Sequence, residues 1–157
     1  MLHSGRMAQA GTPADVYAAP DDLTVARLTG PLSVLDARVS ARAQARSTIE
    51  VGEARATVPC AAAPGAEPAA AAVLVRPDWA RLADSGGPGG LGGGDLPGAI
   101  TEVRFRGPHT DYHVATPAGT LLVREAGPPR AGCGPVRWTL LRARLMPRER
   151  PGGPPSG

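Results

Sequence analysis

The segment from His109 to His113 carries the residue types best suited to chemistry in this chain. Alternate residues of a β-strand share one face, so His109, Asp111 and His113 would lie together on a strand. Imidazole and carboxylate groups suit a transition metal. A flat strand separates the first and last of the three by about 13 Å, so binding one ion would require a bend. In the alternative interpretation, Tyr112 and Val114 face the core and the three polar side chains face water.

Sequence patterns for nucleotide binding and for nucleophilic catalysis give weaker support for a site than this segment does. The run 87–92 has the form Gly-x-Gly-x-x-Gly, but Pro97 follows closely and breaks the helix that a nucleotide-binding loop requires. The nucleophile pattern Gly-x-Ser-x-Gly does not occur. Cys60 and Cys133 have no base beside them in the sequence, and their wide separation is typical of a reducing compartment. We therefore predict no catalytic residue and no cofactor held by this chain.

The charge distribution gives no indication of a polyanionic partner. The 157 residues include 17 basic and 14 acidic side chains, for a net charge of +3, and every basic residue is Arg. Nucleic-acid binders usually concentrate basic residues in one patch, and here carboxylates lie among them. A basic cluster near the end of the chain is typical of a solvated terminus: Arg142, Arg144, Arg148 and Arg150. We expect no nucleic acid as partner.

Membrane insertion is not predicted either. The sequence contains no stretch approaching the roughly 20 apolar residues that span a bilayer. Its first residues lack the apolar centre of a signal peptide. We expect a cytoplasmic chain that reaches a membrane only through a partner.

Two short helices are predicted near the start of the chain. Thr12 can cap the first helix, and Pro13 and Asp15 suit its first turn. Pro20 interrupts this helix, Asp21 or Asp22 begins a second one, and Gly30 ends it. Both helices have so little apolar surface that they need a neighbour to pack against.

Most of the rest of the chain is predicted to form β-strands. Apolar residues alternate from Leu35 to Val39, and Gly52 marks a hairpin turn. Residues 85–98 are predicted to form a flexible Gly-rich loop, and residues 148–157 a disordered tail. Several short strands with turns between them favour a mainly β protein, a small antiparallel barrel or sandwich. We predict these core residues in the clearest strands: Val103, Phe105, Tyr112, Val114, Leu121, Val123, Val136 and Trp138.

Two blocks of residues together resemble a known family. The first contains Gly11, Thr12, Pro13, Val16, Tyr17 and Pro20, and the second contains Arg76, Pro77, Phe105, Gly107, Tyr112 and Gly119. In this order and at this separation, they resemble the C-terminal portion of the ATP-binding subunit of an ABC importer for polyamines, iron(III) or sugars. The second block is similar to its TOBE domain, a small OB-like barrel.

The resemblance implies a domain organisation and structural roles for these residues. Residues 1–30 would be the end of the nucleotide-binding domain with its hinge helices, and residues 31–147 the TOBE barrel. The hinge between the two parts would be formed by Thr12, Pro13, Val16, Tyr17 and Pro20, and none of these would be catalytic.

The resemblance also implies that ATP and Mg²⁺ bind elsewhere. The phosphate-binding loop of that family ends in Gly-Lys-Ser/Thr, and this chain contains no Lys. The ATPase motifs are therefore expected upstream of Met1. The chain is then a fragment of a longer reading frame, a decayed gene product, or a barrel that works as a separate polypeptide.

The function expected from the resemblance is accessory and regulatory. The barrel would contact the ATPase domain and a second copy of the subunit, and would act beneath a membrane permease at the inner face of the membrane. The alternative is a free-standing TOBE-like protein that binds a small anion or metabolite. A fragment should expose Val16, Tyr17, Leu23 and Leu28, whereas a binding protein should fold alone and gain stability with its ligand.

Overall fold

The fold is mainly β, as predicted. The computed structural model describes residues 2–3, 6–7, 9–63, 66–67, 71–83 and 95–148. Within these ranges the two helices are α1 (Pro13–Ala18) and α2 (Leu23–Leu28). The strands are β1 (Leu2–His3), β2 (Arg6–Met7), β3 (Ser33–Leu35), β4 (Arg38–Ala43), β5 (Arg46–Val51), β6 (Ala54–Ala62), β7 (Ala71–Val75), β8 (Ala80–Leu82), β9 (Leu96–Phe105), β10 (His109–Thr116), β11 (Gly119–Ala126), β12 (Gly134–Leu140) and β13 (Ala143–Pro147). In the part of the chain so described, neither helix has the length and apolar character needed to cross a membrane.

Both helices begin with the predicted caps. The Thr12 hydroxyl accepts the backbone N–H of Asp15 at 3.2 Å, and the Asp15 carboxylate accepts the N–H of Thr12 at 3.3 Å. Asp22 caps α2 by accepting the N–H of Val25 at 2.8 Å. Gly30 follows the end of α2 with a φ of +145°, a conformation that glycine adopts without strain. The sequence signals at both helix ends are therefore confirmed.

The second half of the chain forms a nearly closed barrel. Its five strands follow the order β11-β10-β9-β12-β8, and every neighbouring pair is antiparallel. Side chains join the two edges of this sheet. The N–H of Leu82 in β8 donates to Glu125 Oε1 in β11 at 2.8 Å, and Arg130 Nη2 donates to the carbonyl of Leu82 at 2.6 Å. The predicted OB-like barrel is confirmed.

The second large sheet has six strands in the order β3-β7-β13-β6-β5-β4. One of its pairs differs from the predicted antiparallel pattern, since β13 runs parallel to β6. Parallel neighbours need a long crossover connection, and here the whole five-stranded barrel lies between them in the chain. The sheet adjoins the barrel where β3 lies beside β11, through a 2.8 Å hydrogen bond from the N–H of Leu122 to Ser33 Oγ.

The core follows most of the predicted alternation. Five of the predicted core residues are buried: Tyr112, Val114, Leu121, Val123 and Trp138. Val103 and Val136 are partly buried and pack against this cluster. Phe105 was predicted in the core and is 56 % exposed, so that prediction is wrong. Phe105 is the last residue of β9. Beyond Ile100, β9 pairs with β10 and no longer with β12.

Two segment boundaries also need correction. Leu96, Pro97 and Gly98 belong to β9 and not to the Gly-rich loop predicted for residues 85–98, whose first ten positions lie outside the described residues. The alternation from Leu35 to Val39 predicted one strand, but the structure interrupts it between β3 and β4. Of the predicted tail 148–157, only Arg148 is described.

Gly98 provides a test of the barrel packing. A Cβ at this position would lie 2.7 Å from Val114 Cγ1 and 3.2 Å from Trp138 Cδ1, and both side chains are fully buried. We expect Gly98→Ala to lower the free energy of unfolding by about 1–3 kcal/mol, the range for overpacked cores. Urea denaturation followed by tryptophan fluorescence measures the change.

The matched control is Gly132→Ala, because a Cβ there meets no atom within 4 Å. This variant should unfold at the same urea concentration as the wild type. Equal midpoints for all three proteins would contradict the packing around Gly98.

Candidate functional site

Residues from both family-like blocks meet at the junction between the helices and the barrel. Arg76 lies at the centre, directly after β7, and is completely buried. Its Nη1 donates to the carbonyls of Ala26 at 2.8 Å and Gly30 at 3.1 Å. Its Nη2 donates to the carbonyl of Tyr17 at 3.2 Å and to Thr29 Oγ1 at 2.7 Å. One guanidinium group therefore holds the ends of both helices.

The chemistry of this contact follows from helix geometry. The last carbonyls of a helix have no partner within the helix and form the negative end of its dipole. A guanidinium group offers several donors in a fixed plane, so it can bind carbonyls from two helices at once. Burial lowers the pKa of Arg76, and the nearby Tyr17 and Asp78 oppose that shift. Arg76 therefore acts as a structural cation.

Tyr17 links α1 to the segment that follows Arg76. The guanidinium carbon of Arg76 lies 4.3 Å from the centre of the Tyr17 ring, a cation–π distance. The Tyr17 hydroxyl donates to Asp78 Oδ1 at 2.9 Å. Burial, followed by this hydrogen bond, raises the pKa of Tyr17 above its usual value. Tyr17, Arg76 and Asp78 thus form one connected network.

Two further arginines, both from the end of the chain, hold the same helices. Arg142 Nη2 donates to the carbonyl of Ala18 at 3.2 Å, and its guanidinium stacks 4.7 Å from the Trp79 ring. Arg144 Nε donates to the carbonyl of Pro20 at 2.6 Å, and burial lowers its pKa. The prediction of a solvated terminus is wrong for Arg144, which is buried, whereas Arg142 is exposed to solvent as predicted. Their alternation with Leu141 and Ala143 along an apolar run was the signal in the sequence.

The helices consequently pack beside β7 and β13 of the six-stranded sheet. Val16 and Leu23 are only 6 % and 7 % exposed, Tyr17 is partly buried, and Leu28 is 57 % exposed. A fragment was expected to expose all four side chains, and for Val16 and Leu23 this is not so. The neighbour that the helices require is present in this chain.

An open, mainly apolar groove of about 500 Å³ lies beside this junction. It is lined by Gly11, Pro13, Val16, Tyr17 and Thr29. Four of these residues belong to the first family-like block, and Tyr17 and Thr29 also contact Arg76. The groove is therefore a surface of the junction itself.

The remaining residues of the two blocks have structural positions. Pro77 is buried and starts a 3₁₀ turn, Pro77–Trp79. Gly107 has a φ of +85° in the turn between β9 and β10, and Gly119 has a φ of +124° at the start of β11. Positive φ favours glycine at both positions.

The three candidate metal ligands do not converge. Asp111 is buried and accepts two hydrogen bonds from Arg124, at 2.7 and 3.0 Å. His109 Nε2 lies 3.8 Å from Asp111, whereas His113 Nε2 points to Glu102 at 4.0 Å. Among the residues with described positions, no group of three His, Cys, Asp or Glu side chains could hold a metal ion. The hydrogen bonds from Arg124 keep the pKa of Asp111 below its usual value, against the effect of burial.

Comparison with protein families identifies the barrel. The family model described as "TOBE domain" matches residues 73–138, which run from β7 into β12. This chain carries a TOBE domain. The match includes Arg76, Pro77 and most of the strands that form the barrel.

Several curated proteins are similar over a longer stretch than the TOBE domain. The spermidine/putrescine import ATP-binding protein PotA of Mesorhizobium japonicum is 31 % identical over 135 residues, 85 % of this chain and 35 % of that protein. The Fe(3+) ions import ATP-binding protein FbpC of Agrobacterium fabrum is 28 % identical over 78 % of this chain and 32 % of its own length. PotA of Ruegeria pomeroyi is 32 % identical over 78 % of this chain and 31 % of its own length. The resemblance to ATP-binding subunits of ABC importers is confirmed. The chain spans about a third of the length of these relatives.

The junction can be tested by removing its central cation. Arg76→Met leaves the buried carbonyls of two helices without their donor, so we expect the free energy of unfolding to fall by about 3 kcal/mol. Arg76→Lys should recover only part of this loss, because an ammonium group lacks the planar fork. Urea denaturation measures both variants.

Arg55→Met serves as the control, since the side chain of Arg55 is 71 % exposed and its nearest carboxylate is 3.9 Å away. Its unfolding midpoint should equal that of the wild type. A wild-type midpoint for Arg76→Met would contradict the role assigned to Arg76.

The ion pair between Asp111 and Arg124 predicts how the stability of the protein depends on pH. Its pKa in the folded protein lies below the ordinary value of 3.8, so its contribution to stability is complete above that value and is lost as the pH falls through the folded pKa. At pH 7 we expect Asp111→Asn to be about 1–2 kcal/mol less stable, a moderate figure because Arg124 is partly exposed. The difference from the wild type should narrow below about pH 4. Denaturation midpoints from pH 7 to pH 3 measure it.

Glu102→Gln is the control for this titration. Its carboxylate also pairs with an arginine, Arg104, but the two side chains are 44 % and 49 % exposed, far more than Asp111. The substitution should leave the midpoint at pH 7 unchanged. A difference in denaturation midpoint between the wild type and Asp111→Asn that stays constant from pH 7 to pH 3 would refute the lowered pKa of Asp111.

Proposed function

We propose that this chain is the accessory and regulatory TOBE domain of the ATP-binding subunit of an ABC importer. Residues 1–30 connect the barrel to the ATP-binding domain, and residues 31–147 form the regulatory unit. The unit contacts a second copy of the subunit and acts beneath a membrane permease. In this proposal the chain is cytoplasmic and peripheral to the inner face of the membrane.

The similarity to import proteins supports this proposal. The relatives share sequence with up to 85 % of this chain, more than the TOBE domain alone occupies. All three are named as ATP-binding proteins of import systems. The sequence of this chain contains no Lys and therefore no phosphate-binding Gly-Lys-Ser/Thr loop. ATP and Mg²⁺ thus belong to a partner domain, and the contribution of this chain is contact and coupling.

The observation that carries the coupling role is the junction at Arg76. A hinge that swings freely would isolate the barrel from movements of the ATP-binding domain. Here Arg76, Arg142 and Arg144 bind the carbonyl ends of the helical segment to the ends of β7 and β13, in the sheet that adjoins the barrel. Helices and barrel therefore move together, and a displacement of one is transmitted to the other.

A chimera tests the proposal. The full chain replaces the aligned third of PotA from Mesorhizobium japonicum, in cells that lack their own spermidine importer. We expect spermidine uptake above that of PotA without this third, because the barrel restores contact and coupling. A chimera carrying Arg55→Met should transport as well as the unsubstituted chimera.

Two outcomes would count against the proposal. One is a chimera that accumulates normally and hydrolyses ATP, yet transports no better than truncated PotA. The other is a chain that stays monomeric without an ATPase subunit and is stabilised by a small anion or metabolite. The second result would favour a free-standing binding protein.

A further inference from the structure

The six-stranded sheet has one covered edge and one open edge. At the covered edge β3 adjoins β11, where the N–H of Leu122 donates to Ser33 Oγ and the N–H of Asp36 donates to the carbonyl of Ala118, each at 2.8 Å. β4 forms the other edge and pairs with β5. Among the residues that the structure describes, none forms a hydrogen bond with β4 on the side away from β5. The backbone groups on that side are therefore available to another strand.

The open edge is long and accessible. β4 has six residues, and all of their side chains are exposed except that of Val39, which is partly buried. At about 3.3 Å for each residue, a strand of this length presents roughly 20 Å of edge. An extended peptide can join such an edge through main-chain hydrogen bonds, the mode of recognition known as strand addition.

The side chains along this edge are cationic. β4 contains Arg38 and Arg42 and no carboxylate. Neither arginine forms a hydrogen bond or an ion pair with any residue that the structure describes. Glu50 lies opposite Arg38 in the register of the sheet, but the ion pair that the structure gives Glu50 is with Arg55, at 3.9 Å. The edge therefore carries two positive charges that no carboxylate of the described sheet contacts.

A β-bulge between Val39 and Ala41 places the two arginines on opposite faces of the sheet. Arg38 lies opposite Glu50 and Arg42 lies opposite Ser47. Glu50 and Ser47 are separated by an odd number of positions on β5, so their side chains point to opposite faces, and so do those of their partners. A strand that joins β4 therefore meets one arginine on each face. Its complementary carboxylates would also stand an odd number of positions apart.

We propose that β4 binds an extended, acidic segment of a protein partner, which joins the sheet as a further strand. Main-chain hydrogen bonds supply most of the affinity, and carboxylates facing Arg38 and Arg42 supply selectivity. The same arginines disfavour a second copy of this chain, because two β4 strands side by side would bring like charges together. Three strands separate β4 from β7, so this edge does not depend on the junction at Arg76 or on the proposed transport function.

A synthetic acidic strand tests the proposal on the full chain. The peptide is Thr-Glu-Val-Thr-Glu-Val-Thr with blocked ends, which places its two glutamates on opposite faces of a strand. Backbone amide signals of the protein are followed by NMR during the titration. We expect saturable shifts confined to β4 and the adjoining part of β5, with a dissociation constant of about 100 μM. The matched peptide with Gln in place of both Glu should bind about fivefold more weakly, since exposed ion pairs contribute modestly.

Arginine variants identify the charges that select the peptide. Arg38→Gln and Arg42→Gln should each weaken binding of the acidic peptide about twofold and leave binding of the Gln peptide unchanged. Arg55→Gln is the control, because Arg55 is 71 % exposed but lies on β6, which β5 separates from the edge. Its affinity for the acidic peptide should equal that of the wild type. Unfolding midpoints equal to the wild type show that all three variants are folded.

Four results would overturn the proposal. Equal affinities for the Glu and Gln peptides would exclude an acidic partner. Shifts outside β4 and β5 would place the peptide elsewhere on the protein. Shifts of the β4 amides that depend on protein concentration without peptide would assign the edge to a second copy of the chain. An equal loss of affinity in Arg55→Gln and Arg42→Gln would indicate general charge attraction.

Discussion

The buried guanidinium of Arg76 is the contact on which the arrangement of helices and barrel depends. Each helix has six residues, and helices of that length are unstable in isolation. Their terminal carbonyls would also be buried without donors against the barrel, at a cost of about 1–3 kcal/mol for each unsatisfied group. Arg76 solves both problems, because it satisfies carbonyls of two helices from a rigid position after β7.

Polar side chains also complete the barrel where the backbone ladder stops. β8 and β11 are the edges of the five-stranded sheet, and unpaired edges expose donors and acceptors. Glu125 accepts the N–H of Leu82, and Arg130 donates to the carbonyl of the same residue. The two side chains also bind each other at 2.6 Å. The N–H and carbonyl of one strand residue are thus satisfied as they would be in a ladder, and the edges stay in place.

Local features of this fold could be predicted from sequence, and contacts between distant segments could not. The cap at Thr12 and the alternation around Tyr112 depend on residues a few positions apart. Phe105 follows the same alternation, but its exposure depends on where β12 begins, at Gly134, far along the chain. The parallel pairing of β13 with β6 depends on the whole barrel between them. Arg76 stood out as part of a motif, but its partners lie about 50 residues away.

The arginines of the site show why composition could not separate structural from functional cations. The sequence uses Arg for every positive charge, so residue type carries no information about role. The role of each arginine is indicated instead by the groups that accept its hydrogen bonds. Arg76 and Arg144 donate to carbonyls in buried positions, which is a structural use. Arg38 and Arg42 are exposed on the open edge of β4 and donate to no acceptor among the described residues. A cation that is exposed and not consumed by carbonyls is the kind that can bind a partner.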